Sequence, residues 1–467
     1  MMVSATTSTA LPVLDPTAVA ALSTGLRGPV VRPGDDGYDA ARHVWNGMID
    51  KRPAVIARCA GVADVLAAVA FARDHDLLLA VRGGGHNIAG TGVCDAGLVL
   101  DLSPMKGIRV DPGARAVRAE GGVLWQELDS ETQAFGLATT GGFISTTGIA
   151  GLTLGGGFGW LMRAHGLACD NLISADVVTA DGRLVVASAE ENPDLFWGLR
   201  GGGGNFGVVT SFAYRLHEVG PEVLAGPLFH PLEAARDGLR FLRDATPTMA
   251  DALSCAAALL TSPEGVPMLG LVPAYIGPIA EGEAAVQPLR AFGSPLADLV
   301  APLPYRTLQQ MFDPAFPSGR RSYWKSSFLR GLDDAAIDIM VEHFARVPSP
   351  HSAVFLEQFG GAVSRVGSDE TAFSHRTAPF NLIVIAGWDD PAQDAANIAW
   401  ARDLWMAMQP FAAGGVYVNY LGDARDEGAG RVRDAYGAAK YDRLTALKAT
   451  YDPTNLFRVN QNIAPAG

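Results

Sequence analysis

The run Val81-Arg82-Gly83-Gly84-Gly85-His86-Asn87 sets an imidazole directly behind three glycines. A glycine triplet forms a loop that takes positive φ or lets another group come close to the backbone. The histidine that ends it is therefore either packing or the reason the loop exists. Two more glycine-rich stretches follow, "GGFISTTGIAGLTLGGGFGW" from Gly141 and "GGGGNFG" from Gly201. Successive backbone N–H groups in such loops form concave nests that hold phosphate without help from side chains. Three of them between residues 83 and 207 are more than turns require. They point to loops surrounding one long phosphate-bearing cofactor, against the alternative of three tight turns in a β-rich domain.

Such loops need rigid elements beside them. "AVIARC" reads as a strand, "GVADVLAAVAFARDHD" carries helical apolar spacing, and "LLLAV" is a buried strand feeding the first glycine loop. "GLVLDLSPMKGIRVDPGARAVRAEGG" reads as three short strands with turns at "SPMKG" and "DPGA", and "VLWQELDSETQAFG" as a helix. "ADVVTADGRLVVAS" is a hairpin in which Asp181-Gly182 supplies a type I′ turn. "GVVTSFAYRLHEV" closes this region near residue 217. From 220 to 425 glycine clusters thin out. Long helical patterns such as "LDDAAIDIMVEHFARV" alternate with strands "SAVFLEQFGG", "FNLIVIAGW" and "GVYVNYL". That texture predicts an antiparallel sheet backed by helices. The tail reads as a helix, a turn and an extended end.

"GGGGNFG" contains G-x-G-x-x-G at Gly202, Gly204 and Gly207. A dinucleotide fingerprint needs a strand before it and a helix after it. Here a helix-like "ENPDLFWGLR" precedes and the strand "VVTSF" follows, so a nicotinamide-nucleotide site is rejected.

Composition bounds the rest. A chain of 467 residues, 48% hydrophobic, suits two domains. A net charge of −13 argues against nucleic acid or an anionic membrane as partner. Cys59, Cys94, Cys169 and Cys255 form no C-x-x-C pair, so neither a metal site nor a disulfide framework is expected. The start lacks a basic n-region, and "VLAAVAFA" falls far short of the roughly 20 apolar residues of a membrane span. A soluble, cytoplasmic protein is expected, with its oligomeric state left open.

"VRGGGHNIAG", "GGFISTTGIAGLTLGGGFGWLMRAHGLACDNL", "ENPDLFWGLRGGGGNFGVVTSF" and "YDPTNLFRVNQNI" together resemble the FAD-linked oxidases of the vanillyl-alcohol oxidase fold, in the berberine-bridge-enzyme-like branch. The resemblance covers most of residues 35–217 and 415–463 and is looser over 220–350. It implies an α+β, two-domain PCMH-type FAD-binding fold. The expected divisions are a loosely ordered lead-in (1–34), the FAD-binding domain (35–217), a substrate domain of antiparallel sheet backed by helices (218–425), and a segment returning to the FAD domain (426–467).

The resemblance also assigns residues. His86 is implied to be bonded through a ring nitrogen to the flavin 8α-methyl, with Arg82, Gly83, Gly84, Gly85 and Asn87 holding the ring system. Cofactor contacts are further implied for Gly142, Thr146, Thr147, Gly148, Gly151, Gly155, Gly156, Gly157 and Gly159, then for Gly207 and Val208, and for Asn460 and Asn462 in the tail. Many relatives carry a second link from a cysteine after Gly-Gly-x; here Ile144 stands in that position, which implies one covalent bond only. "GGVYVNYLGD" is similar to the family's Y-x-N-Y element. It makes Tyr420, with Tyr417 behind it, the candidate proton acceptor through a phenol acidified by its surroundings. On a strand Tyr417 and Asn419 share one face and Val418 and Tyr420 the other. Asn381 and either Glu357 or Gln358 are candidate partners; alternation turns only one of the last two toward the site. The implied activity is removal of a hydride and a proton from a small-molecule alcohol, amine or natural-product intermediate, with dioxygen as acceptor giving hydrogen peroxide. A dehydrogenase using another acceptor, an oxygenase or cyclase of secondary metabolism, and a binding protein with an inert flavin are the alternatives.

Overall fold

Short β-branched runs separated by turn residues become the strands of two sheets in the first half of the chain. The computed structural model describes residues 14–428 and 430–466. Its first sheet runs Val30–Val31, Val55–Arg58, Leu98–Asp101, Leu79–Arg82, with the last two pairings parallel. Between Val55–Arg58 and Leu79–Arg82 lies the helix Val62–Asp74. It buries Val65, Ala68, Val69 and Ala72, one stripe of a 3.6-residue period. The strand Leu79–Arg82 therefore ends where the glycine–histidine loop begins.

The lead-in is not loosely ordered throughout. Residues 1–13 lie outside the described residues, but Pro16–Gly25 is a helix whose N-cap Asp15 accepts from Thr17 N, with Pro16 at its first position. Val19 and Leu22 are buried with Val65 and Val69 in one cluster, which is what orders it.

The second sheet is antiparallel, in the order Ile108–Asp111, Ala116–Glu120, Val208–Arg215, Leu172–Val178, Leu184–Ser188. The hairpin at Asp181-Gly182 forms, but not with a type I′ turn. Gly182 N donates to Thr179 O and only Gly182 has positive φ, at 84°. A type I turn followed by a left-handed glycine needs one glycine where type I′ needs two residues at φ > 0.

The substrate-domain sheet is larger and antiparallel. Its main path runs Ala297–Asp298, Leu228–Pro231, Pro267–Tyr275, Leu253–Thr261, Ala353–Gln358, Phe380–Trp388, Arg321–Leu329. The helices Ala235–Ala245, Ile279–Arg290, Asp334–Phe344 and Asp394–Met408 cover one face and bury Leu239, Val286, Ile337 and Leu404 against it. The opposite face carries Phe355 and Glu357, with Ile383 and Asn381 as their cross-strand partners. "GVYVNYL" is not a strand. Val418–Tyr420 is a 3₁₀ turn, so Tyr417 and Tyr420 come to one side instead of opposite ones.

The tail helix Ala438–Tyr451 ends in a buried ionic knot. Lys448 Nζ donates to Asp452 Oδ2 at 2.7 Å, to Asn205 O and to Phe457 O, while the Asp452 carboxylate accepts from Leu456 N and Phe457 N. Both side chains are fully buried. This knot fastens the returning tail to the third glycine loop. Asp452→Ala leaves an ammonium buried without its counter-charge, so stability should fall by about 3–5 kcal/mol in equilibrium urea unfolding. A loss under about 1 kcal/mol would deny the knot this role. Among the described residues no helix is long and apolar enough to cross a membrane.

Candidate active site

A cleft runs between the two domains, and the three glycine loops meet the tail on its walls. Gly83, Gly84, Gly85, His86 and Asn87 line it, with Gly142, Thr147, Gly148 and Gly151 from the second loop. Gly207 comes from the third loop, and Asn460 from the tail. Gly84 and Gly148 explain why the first two loops are glycine. A Cβ on Gly84 would lie 2.4 Å from Gly148 N, and one on Gly148 2.5 Å from Gly84 N. The two backbones touch, and no side chain fits between them.

Other expected contacts are placed elsewhere. Arg82 borders the cleft, but its guanidinium is spent on Asp101, Ala41 O and His43 O, bracing the strand beneath the loop. Asn87 uses Oδ1 to cap its own turn at Ala89 N. Gly155, Gly156, Gly157 and Gly159 do not line the cleft: they admit other chain segments. A Cβ on Gly155 would strike the Asn419 side chain at 2.1 Å, and one on Gly159 would strike Gly141 O. Val208 points into the core beside Val178, and its strand neighbour Val209 takes the cleft position by alternation. Asn462 and Thr146 are also off the wall. Thr146 Oγ1 instead lies 3.5 Å from His86 Nε2.

His86 stacks on Trp45, with ring centroids 4.6 Å apart. Desolvation by the surrounding protein lowers its pKa to about 4, so the imidazole is neutral at pH 7 and keeps a nitrogen lone pair. That is the protonation state of a nucleophile.

Beside His86 lies a buried carboxyl group. Tyr420 Oη donates to Glu357 Oε1 at 2.7 Å and Asn381 Nδ2 donates to Glu357 Oε2 at 2.8 Å. Burial raises the Glu357 pKa to about 7, and the two hydrogen bonds oppose the rise. Tyr420 is raised well above 10, first by desolvation and then by the Glu357 charge. The expected acidified phenol is therefore corrected. A phenol beside a carboxylate holds its proton more tightly, and the group poised to ionise near neutrality is Glu357. Gln358 is turned away and accepts from Cys255 N. Tyr417 is buried behind Tyr420, and its hydroxyl accepts from Gly157 N and Asn419 Nδ2. It props the turn that aims Tyr420.

Several site residues lay beyond sequence reasoning. Trp45 and Trp324 have no local signature. Gly203, Gly204, Asn205 and Tyr436 also line the cleft. The first three sit in the third glycine stretch, which was expected to surround the cofactor but was assigned residue by residue only at Gly207 and Val208. The four cysteines are buried and free.

The lining suits a flavin dinucleotide. Asn460 Oδ1 and Tyr436 Oη are buried on the wall without a partner among the described residues. Cβ atoms at Gly151 and Gly204 would stand in open space. Arg82 is committed to Asp101, which leaves backbone amides and neutral side chains to receive phosphate. Comparison with known proteins agrees. The family profile described as "FAD binding domain" matches residues 53–188, and "Berberine and berberine like" matches 416–464. An FAD-linked oxidoreductase of Dictyostelium discoideum is 33% identical over 94% of this chain and 95% of its own length. (R)-6-hydroxynicotine oxidase of Paenarthrobacter nicotinovorans is 32% identical over 95% and 98%. The solved structure of 6-hydroxy-D-nicotine oxidase from Arthrobacter nicotinovorans superposes with a TM-score of 0.87 at 30% identity, covering 94% of this chain and 98% of that one. The chain belongs to the berberine-bridge-enzyme-like family of FAD-linked oxidoreductases.

Proposed function

We propose that the protein is an oxidase that takes a hydride and a proton from a small-molecule alcohol or amine, holds FAD through a single covalent bond at His86, and returns electrons to dioxygen as hydrogen peroxide. The observation that carries the reading is the buried Glu357–Tyr420–Asn381 group facing the same space as His86. FAD, when bound, supplies the hydride acceptor. The chain's own residues manage the proton. Tyr420 Oη takes the proton of the substrate's O–H or N–H as its own moves to Glu357 Oε1, so no free phenolate is required. Asn381 fixes the carboxylate through Oε2 and keeps it aimed at Tyr420. Tyr417, Asn419 and Gly157 lock the turn that presents Tyr420, and the apolar surroundings of Glu357 hold its pKa near the working pH. Support for dioxygen as acceptor comes from the oxidase relatives, and support for a single link from Ile144 on the cleft wall.

The test is a two-stage experiment. Substrate should bleach the flavin anaerobically, and admitted air should restore the colour with one hydrogen peroxide formed per flavin. Reoxidation in air slower than turnover with an artificial acceptor would make the protein a dehydrogenase. Product mass should show loss of two hydrogens; gain of oxygen or no change would point to an oxygenase or a cyclase.

A further inference from the structure

Arg321–Leu329 is the outermost strand of the large sheet, and the turn Val418–Tyr420 packs against it. Side chains alternate along a strand. Trp324 therefore faces the cleft, with its ring 5.7 Å from that of Tyr420. Tyr323, Lys325 and Ser327 face the helix Asp394–Met408, where Trp405 Nε1 donates to Ser327 Oγ. Lys325 is only 3% exposed, and Val384, its cross-strand partner, is fully buried.

An ammonium taken out of water needs counter-charge. It arrives from the stretch that follows Tyr420. Lys325 Nζ lies 2.7 Å from Asp426 Oδ2 and donates to Glu427 Oε1 at 2.8 Å, and both acids belong to the short helix Ala424–Glu427. Tyr323 Oη donates to Asp426 Oδ2 at 2.5 Å, Arg402 pairs with Asp426 Oδ1, and Arg431 Nε lies 3.4 Å from Glu427 Oε2. Lys325 and Arg431 also stand over the Trp405 ring, each 5.3 Å from its centroid.

Glu427 passes the restraint back toward Tyr420. The oxygen that accepts from Lys325 also accepts from Gly422 N at 3.2 Å. Gln461, on the cleft wall, donates to Leu421 O and Gly422 O at 3.0 and 3.1 Å. Tyr417 thus fixes the chain before Tyr420, and this cluster fixes the chain after it. Stability is a poor reason for such a cluster, since a buried ion pair gains little over an apolar pair of the same size. Register is the better reason. Paired charges with bonded oxygens admit one placement where apolar groups admit many.

Resting on the proton-relay reading above, we propose that Lys325 is a positioning residue for the reaction. It pins the stretch 421–428 to the sheet edge and so keeps Tyr420 Oη within hydrogen-bond reach of Glu357 Oε1. Without the ammonium the chain after Tyr420 loosens, and that hydrogen bond is made only part of the time. Burial, Tyr420 and Asn381 set the Glu357 pKa, so Lys325 reaches it through Tyr420.

No substrate is needed for the test. In FAD-loaded protein the infrared band of the protonated Glu357 carboxyl group, identified by its loss in Glu357→Gln, is followed against pH. Wild type should titrate near 7. Tyr420→Phe should displace the midpoint upward, because a hydrogen bond that favours the charged form is gone. Lys325→Met should displace it in the same direction, by about half a pH unit or more, at unchanged FAD content. Adding Lys325→Met to Tyr420→Phe should displace it no further, since the path runs through Tyr420. Glu427→Ala should act as Lys325→Met does, and is read in its place if that variant does not hold FAD. An unmoved midpoint in the FAD-loaded variant would overturn the proposal. So would a further shift of equal size in the double variant, which would mark a direct effect of the charge. An unmoved midpoint in Tyr420→Phe would instead overturn the Tyr420–Glu357 relay on which the proposal rests.

Discussion

Glu357→Gln should slow anaerobic flavin reduction by about 10²–10⁴-fold, the usual cost of removing a general base. The amide keeps the size of the side chain and can still accept from Tyr420, so fold and FAD content should persist. Glu357 is buried, and the carboxyl group accepts from both Tyr420 and Asn381. Its pKa near 7 follows from desolvation, so protons should compete with the reaction in an accessible range. Below that value the carboxyl is neutral and has no site for the substrate's proton; above it the carboxylate is free to accept. Tyr420→Phe should also slow reduction, since the relay atom is lost. It further removes a hydrogen bond that favours the charged form of Glu357, which pushes that pKa higher. Reduction rates within about threefold of wild type in Glu357→Gln would move the base elsewhere.

His86→Ala should abolish covalent flavin. Acid-precipitated wild-type protein should stay yellow, and digestion should yield one flavin-labelled peptide, containing His86. The same treatment of the variant should give a white pellet and a yellow supernatant. Neutrality of the imidazole is central here, because an imidazolium has no lone pair to offer, and the drop to about 4 keeps the ring neutral throughout the physiological range. Trp45 stacked on one face fixes the ring plane. Non-covalent FAD should survive in the variant, since the contacts of Gly83–Gly85, Thr147–Gly151 and the tail do not depend on the imidazole. The four cysteines are buried, and burial raises each thiol above its ordinary pKa, so none is a ready thiolate. Flavin recovered on any cysteine peptide would refute the single link.

The glycine–histidine loop could be read from the chain because its signal is local: five adjacent residues whose types make sense only together. The sheets of the first domain were readable for a related reason, since Val55–Arg58, Val62–Asp74 and Leu79–Arg82 each carry their own period. The pairing of Glu357 with Tyr420 was readable only as one of several candidates. Glu357 and Tyr420 are 63 residues apart, and their contact depends on a 3₁₀ turn that strand-like composition concealed. "GVYVNYL" has high β propensity, but the close approach of Asn419 to Gly155 and of Tyr417 to Gly157 bends it out of any sheet. Alternation narrowed Glu357 and Gln358 to one without naming it, because facing is set by which side of the sheet the helices cover. Gly155–Gly159 show the converse limit. Sequence alone cannot separate a glycine that admits a ligand from one that admits a neighbouring stretch of chain, and these admit Asn419, Phe373, Ala168 and Gly141. Trp45 and Trp324 left no signature, as the two rings meet beside His86 from segments far apart in sequence.

The most direct measurement is the pH dependence of anaerobic flavin reduction, followed by stopped flow with a substrate that bleaches the enzyme. Wild type should show a rate that rises with pH through one ionisation near 7 and then levels. Tyr420→Phe should show a slower rate with its midpoint displaced upward, and Glu357→Gln a slow rate with no ionisation in that range. A midpoint near 10 in wild type, or an ionisation near 7 that survives in Glu357→Gln, would contradict the assignment of the proton to Glu357.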